Sequence, residues 1–266
     1  RKEKALAGPA AAEAEAKVRE AEELLRRGCY AAFQRSLQIY QAIYAEPSFR
    51  KNAAPSLLRA LLLTALREKE LDIFNPGLFQ TAGGLIKENP SLLSFQPYLE
   101  LIAFMGSRKM GVVGDVDAAI ARRIPVMMSD ETVKILEGLR PIAMWDDFYA
   151  YLFISLCQSY SYKFKEKPDL EAVLEPFPDS LLARYLKGLY FQAGAQPFAE
   201  LLKADPEFFE AYYFQGEIAL GKGNLLEAEA DFLKALEGIS GLSQAAINLA
   251  SIYFAIEELE RSIEYF

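Results

Sequence analysis

Between residues 206 and 266 the chain repeats itself at an interval of 34 residues. Gly216 and Ala250 take the same place in two copies. So do Tyr212 and Ala246, Ala219 and Tyr253, Leu225 and Leu259, Ala228 and Ser262, and Phe232 and Phe266. A fixed period of this length limits the fold more than composition can. One copy is too small to bury its own apolar face, so copies must stack on one another.

The residue types within a copy say how two helices would meet. Gly216, Ala228 and Ala235 have almost no side chain and allow close approach, while Phe232, Leu225 and Leu236 fill the space between neighbours. Each of the larger three stabilises by about 1.5–3 kcal/mol when fully buried. Lys222-Gly223-Asn224 reads as the turn between the helices, with glycine free to take positive φ. An ordinary helical hairpin with small residues at its contact is the plainer alternative.

Each copy resembles a tetratricopeptide repeat, a 34-residue helix–turn–helix unit with an aromatic-x2-Leu-Gly-x2-Tyr, Ala-x3-Phe, Pro pattern. The first copy supplies Tyr212, Gly216, Ala228 and Phe232 and departs at Gln215 and Ala219. The second supplies Leu249, Ala250 and Tyr253 and departs at Ala246 and Ser262. Pro206 stands where a preceding unit closes, and residues 180–206 read as that unit with a clipped turn, holding Tyr185, Gly188, Phe191, Phe198 and Leu201-Leu202. The resemblance implies an all-α fold, a right-handed superhelix of antiparallel helix pairs. Tyr212, Gly216, Ala228, Phe232, Ala235, Leu249, Ala250 and Tyr253 would form its contacts between helices.

In such an array the first helix of each pair lines the concave side. Helical spacing then assigns Tyr185, Leu189 and Gln192, next Tyr213, Glu217 and Leu220, and last Ile247, Ser251 and Phe254 to a groove for a partner. Family members that clamp a terminal carboxylate place Lys, Arg and Asn there. Only Asn248 fits that role here, so an amphipathic helix or extended apolar peptide is the expected guest. The alternative is that the N-terminal helices fold over this surface and fill it.

Upstream, residues 1–12 read as a tether and 13–106 as a degenerate helical-repeat region. Helices are expected over 13–27, 30–45 and 54–69, from Asn75-Pro76 to Asn89-Pro90, and over 95–105, with a break at Gly28 and close-contact points at Gly83-Gly84. Residues 107–178 form an irregular helical insert. Gly111-Val-Val-Gly114-Asp115 lacks the Gly-Lys-Ser/Thr ending of a phosphate loop and reads as a turn. Ser129 is a candidate N-cap, and two short helices are expected around Pro176 and Pro178. Within residues 145–164 the run 148–156 is apolar on every side and, at about ten residues between Asp146-Asp147 and Gln158, too short to span a bilayer that needs about twenty, so it reads as a buried core helix. The neighbours Asp146 and Asp147 point about 100° apart on a helix and suit no shared acid–base task.

The chain contains no histidine, which excludes Ser–His and Cys–His nucleophile pairs. Cys29 and Cys157 have neither metal nor redox spacing and read as buried thiols. No cofactor or metal site is expected. Residues 207–266 hold eleven acids and three bases, which is the whole of the net charge of −8. That imbalance argues against nucleic acid, whose binding is driven by Lys and Arg.

The expected function is therefore a non-catalytic scaffold or adaptor that binds a peptide or partner protein. The Ala-Gly-Pro-rich start fits a tethered lipoprotein of a bacterial envelope, with a cytoplasmic protein as the other option. The alternative functions are a helical small-molecule-binding or transporter-associated accessory protein, and a structural subunit held through its apolar end at Ile263 and Phe266.

Overall fold

The computed structural model describes residues 9–73, 75–105, 131–143, 146–160, 168–191 and 194–265, and every regular element among them is helical. Gly111–Asp115, Ser129, Trp145, Tyr162, Phe164, Gln192 and Phe266 lie outside the described residues. No described helix is long and apolar enough to cross a membrane.

Helix α1 (Pro9–Arg27) ends at Gly28, whose φ of +73° lets the chain reverse into α2 (Tyr30–Ala45). A Cβ on Gly28 would lie 3.2 Å from the Leu182 Cβ, so the turn is also pressed against the C-terminal half. α3 (Arg50–Glu70) is the longest described helix and is buried almost continuously from Leu57 to Glu70. α4 (Pro76–Glu88) begins on proline, as suits a first helical position whose N–H has no partner. A 3-10 stretch (Pro90–Phe95) then leads into α5 (Gln96–Phe104). Gly83 and Gly84 are not close-contact points, because a Cβ on either would meet nothing within 4 Å.

α6 (Glu131–Ala143) packs on α7 (Asp147–Ser159), which is capped by Asp146 accepting from the Phe148 N–H. Phe148 and every residue from Ala150 to Cys157 are buried, and α7 touches α3 and α6 together. In place of two short helices near the prolines there is one 3-10 turn (Ala172–Leu174). Ser180 then caps α8 (Leu181–Leu186), which widens into a π-type turn (Lys187–Phe191).

The remaining helices run in sequence: α9 (Gln196–Ala204), α10 (Phe209–Gly221), α11 (Leu225–Gly238), α12 (Ser243–Ala255) and α13 (Leu259–Glu264). Each packs on the next in the chain. The α10–α11 contact is set by Gly216, where a Cβ would sit 2.8 Å from the ring of Phe232. Gly188 has the same relation to Phe198 at 2.9 Å. Gly216, Ala228, Phe232, Ala235, Leu249, Ala250 and Tyr253 are buried, and Tyr212 is half-buried. Buried apolar residues from Ala21 to Tyr253 form one continuous cluster, so the two halves share a core.

Candidate functional site

α3 is buried on nearly every side from Leu57 onward, so its last turn is carried into the interior with the rest. That turn bears Arg67, Glu68 and Glu70, all buried, and buried charges persist only when paired and hydrogen-bonded. Arg67 donates through Nε to the Tyr151 hydroxyl at 2.9 Å and through Nη2 to the Gly28 carbonyl at 3.0 Å. Its Nη1 bonds Glu210 on α10, and its Nε lies 3.3 Å from Glu70. The guanidinium also sits 3.8 Å above the centre of the Tyr185 ring.

Glu70 is the best-satisfied carboxylate in the cluster. Its Oε2 accepts from Tyr151 at 2.5 Å and Tyr185 at 3.2 Å, and its Oε1 from Ser155 at 2.7 Å and Tyr190 at 3.0 Å. Glu210 is fully buried; its Oε1 accepts from the Tyr30 N–H at 2.6 Å and from Arg67, and its Oε2 has no partner. Burial raises the Glu210 pKa above the usual carboxylate range, and the neighbouring Arg67 only partly offsets this. Glu68 accepts from the Tyr30 hydroxyl at 2.8 Å and is also raised by burial. At the rim Arg27 grips Asp205 with two bonds of 2.9 Å and reaches Glu207 at 2.8 Å. Polar and charged contacts therefore bind α1–α3 to α8, the π-type turn and α10.

This closure decides where the expected groove residues lie. Tyr185 is fully buried beneath Arg67 with its hydroxyl on Glu70, and Leu189 is buried next to it. Tyr213 is buried against Phe232 and Phe214, and its hydroxyl donates to Glu217 at 2.8 Å. Tyr185 is thus a core residue instead of open groove, because Arg67 of α3 occupies the space in front of it, whereas Leu189 and Tyr213 are buried yet border a cavity. Glu217 and Leu220 are half-buried. Ile247 is 44% exposed, Ser251 is exposed and Phe254 is 66% exposed. Asn248 is buried, accepting from Gln244 at 3.3 Å, and so is not presented as a clamp. Equivalent positions along the three units pass from covered to open toward the C-terminus.

Beside the charged cluster is a cavity of about 610 Å³. Glu70, Asp72, Tyr190, Phe191, Tyr213 and Glu217 line it, together with Leu189 and Phe198. Its volume falls in the range of small-molecule sites, about 300–1,000 Å³. No group of three or more metal-ligating side chains occurs among the described residues. Both thiols are free and buried, and burial pushes each up to about 12, where neither is a nucleophile at neutral pH. No family model matches the chain, and no curated protein matches it.

Sequence reasoning missed the cluster because its partners are distant in the chain: Arg67 and Glu210 are separated by 143 positions. Nothing in the local sequence separates Arg67 and Glu70 from the charged end of any leucine-rich helix, or Glu210 from an ordinary acid in a first turn. The one available signal was the i, i+3 pairing of Arg67 with Glu70 directly after the run Ala60–Leu66, which only Thr64 interrupts.

Proposed function

We propose that the chain is a non-catalytic interaction module of tetratricopeptide-repeat type, its helix pairs over residues 179–266 forming a right-handed superhelix. Its guest is a peptide or protein segment with an apolar face, received on α12 at Ile247, Ser251 and Phe254 and at the half-buried Glu217 and Leu220 of α10. The observation that carries this reading is the graded exposure of equivalent positions. Tyr185 is shut in by Arg67 and Tyr213 is 4% exposed, whereas Ile247, at the same place in the last pair, is 44% exposed and Phe254 one further place along that face 66%. A phenylalanine left in water on a helix where Leu249, Ile252 and Tyr253 are buried is a surface feature that a partner can use.

A peptide-display selection on the full chain tests this. The enriched peptides should carry apolar residues at helical spacing and lose at least about tenfold in affinity for Ile247→Ser/Phe254→Ser, a change of about 1.4 kcal/mol. Peptides that bind the double variant as tightly as the wild type would refute the assignment. The 610 Å³ cavity favours a second reading, a helical small-molecule-binding or transporter-associated accessory protein.

A further inference from the structure

α11 buries Ala228, Phe232 and Ala235 against its neighbours and leaves a second apolar strip in water. Leu226 is 83% exposed, more than any other large apolar side chain among the described residues, and Leu233 is 37% exposed. Ala230 between them is exposed as well. At about 100° per residue these three fall within about 60° of one another around the helix, so they form one continuous face. The strip contributes nothing to the core of a single copy, because apolar surface stabilises only when it leaves water.

We propose that this strip is a self-association surface, on which α11 of one copy packs antiparallel to α11 of a second copy about a twofold axis near Ala230. It lies on a different helix from the α12 row and stands whether or not α12 receives a guest.

Charge selects a second copy as the occupant. Glu227 and Lys234 are both exposed and, seven residues apart, share one flank of the strip. When two identical helices pack antiparallel about a twofold axis, each flank meets the same flank of its partner, reversed in direction. That reversal sets Glu227 against the partner's Lys234, and Lys234 against the partner's Glu227. One register does the rest: Leu226 comes beside the partner's Leu233, and Ala230 opposes the partner's Ala230, where a methyl lets the helix axes approach. The same register brings Glu237 toward the partner's turn that carries Lys222.

Within one copy these charges are lightly held. Lys234 pairs with Glu237 at 2.6 Å and Asn224 donates to Glu227 at 3.3 Å, both at the surface. An ammonium has three donors and a carboxylate about four acceptor directions, so each can keep its present partner and take another. Elsewhere two copies repel, since residues 207–266 hold eleven acids against three bases. Two of those three bases, Lys222 and Lys234, lie at α11, which favours this approach over others. A single helix crossing falls at the small end of specific interfaces, below about 1,200 Å², so the association is weak and depends on concentration.

Sedimentation equilibrium of the full chain between about 1 µM and about 1 mM tests this. The chain should pass from monomer to dimer and stop there, because an isologous contact closes on itself. Leu226→Ser/Leu233→Ser should weaken dimerisation at least about tenfold while helical content persists. Glu227→Lys and Lys234→Glu should each do the same alone, since like charges then face each other across the axis. Mixed in equal amounts the two single variants should associate again, one copy carrying two positive charges and the other two negative. The double variant Glu227→Lys/Lys234→Glu should dimerise as the wild type does. Ile247→Ser/Phe254→Ser should leave dimerisation unchanged, so failure of this surface and failure of the α12 row are read separately. A chain monomeric at every concentration, or growth beyond the dimer, would overturn the proposal. So would dimers that survive Leu226→Ser/Leu233→Ser, dimers lost with the α12 variant, or single variants that do not recover on mixing.

Discussion

Replacing Arg67 by methionine keeps an unbranched stem and removes the guanidinium. The bonds to Tyr151 and the Gly28 carbonyl disappear, together with the ion pairs to Glu70 and Glu210. Glu70 still has the hydroxyls of Tyr151, Ser155, Tyr185 and Tyr190. Glu210 is left fully buried with the Tyr30 N–H as its remaining partner from another residue. Leaving one member of a buried pair uncompensated costs about 3–5 kcal/mol, so Arg67→Met should lower stability by that amount. Making Glu210 neutral as well, with Glu210→Gln, keeps an acceptor for Tyr30 and should recover about 2 kcal/mol of the loss.

The penalty should also depend on pH with a definite sign. Burial raises the folded-state pKa of Glu210 above 4.5, so the folded chain gains stability as pH falls through that raised value, and the gain is complete below 4.5. Loss of Arg67 raises the value further. The cost of Arg67→Met is therefore larger at about pH 8 than at about pH 5. Urea unfolding followed by far-UV circular dichroism measures all of this. A single-variant penalty under about 1 kcal/mol, or no recovery in the double variant, would refute the reasoning.

Other substitutions separate contact from exposure. Gly216→Ala drives a methyl against the fully buried Phe232 and should cost about 1–3 kcal/mol, whereas Gly221→Ala, with nothing within 4 Å, should be neutral or stabilise by up to about 1 kcal/mol in the same urea assay. Phe232→Ala should cost about 3–5 kcal/mol and Phe254→Ser less than about 0.5, as thermal unfolding will show. A thiol reagent at about pH 8 should leave Cys29 and Cys157 unmodified in the native chain and label both once it is unfolded. Burial, with a smaller contribution from Glu227, raises Asp231 to about 6. Its protonation thus favours the folded state as pH falls through about 6, and Asp231→Asn should flatten the profile of melting temperature against pH in that window.

The all-α character was legible because helix signals are local. Gly28 with positive φ, Pro76 at a first position and Asn89-Pro90 after an end mark boundaries that need no knowledge of the rest of the fold. The interval Tyr30–Ala45 emerged for that reason. The site was legible only in part. Helical spacing placed Tyr185, Tyr213 and Ile247 on equivalent faces, but spacing carries no information about what lies opposite. What lies opposite the first is Arg67, a residue whose charge gave every reason to place it in water. Its burial follows from the run Leu57–Leu66, which drags the next turn inward, and from the Glu210 carboxylate waiting 143 positions away.

Hydroxyl-radical footprinting of the native chain, read by mass spectrometry, tests most directly whether α3 closes the first units and leaves the last one open. Phe254 and Ile247 should be oxidised readily, while Tyr185, Tyr151 and Tyr213 should be protected until the chain unfolds. Oxidation of Tyr185 at a rate comparable to Phe254 would contradict that closure and, with it, the location of the open surface.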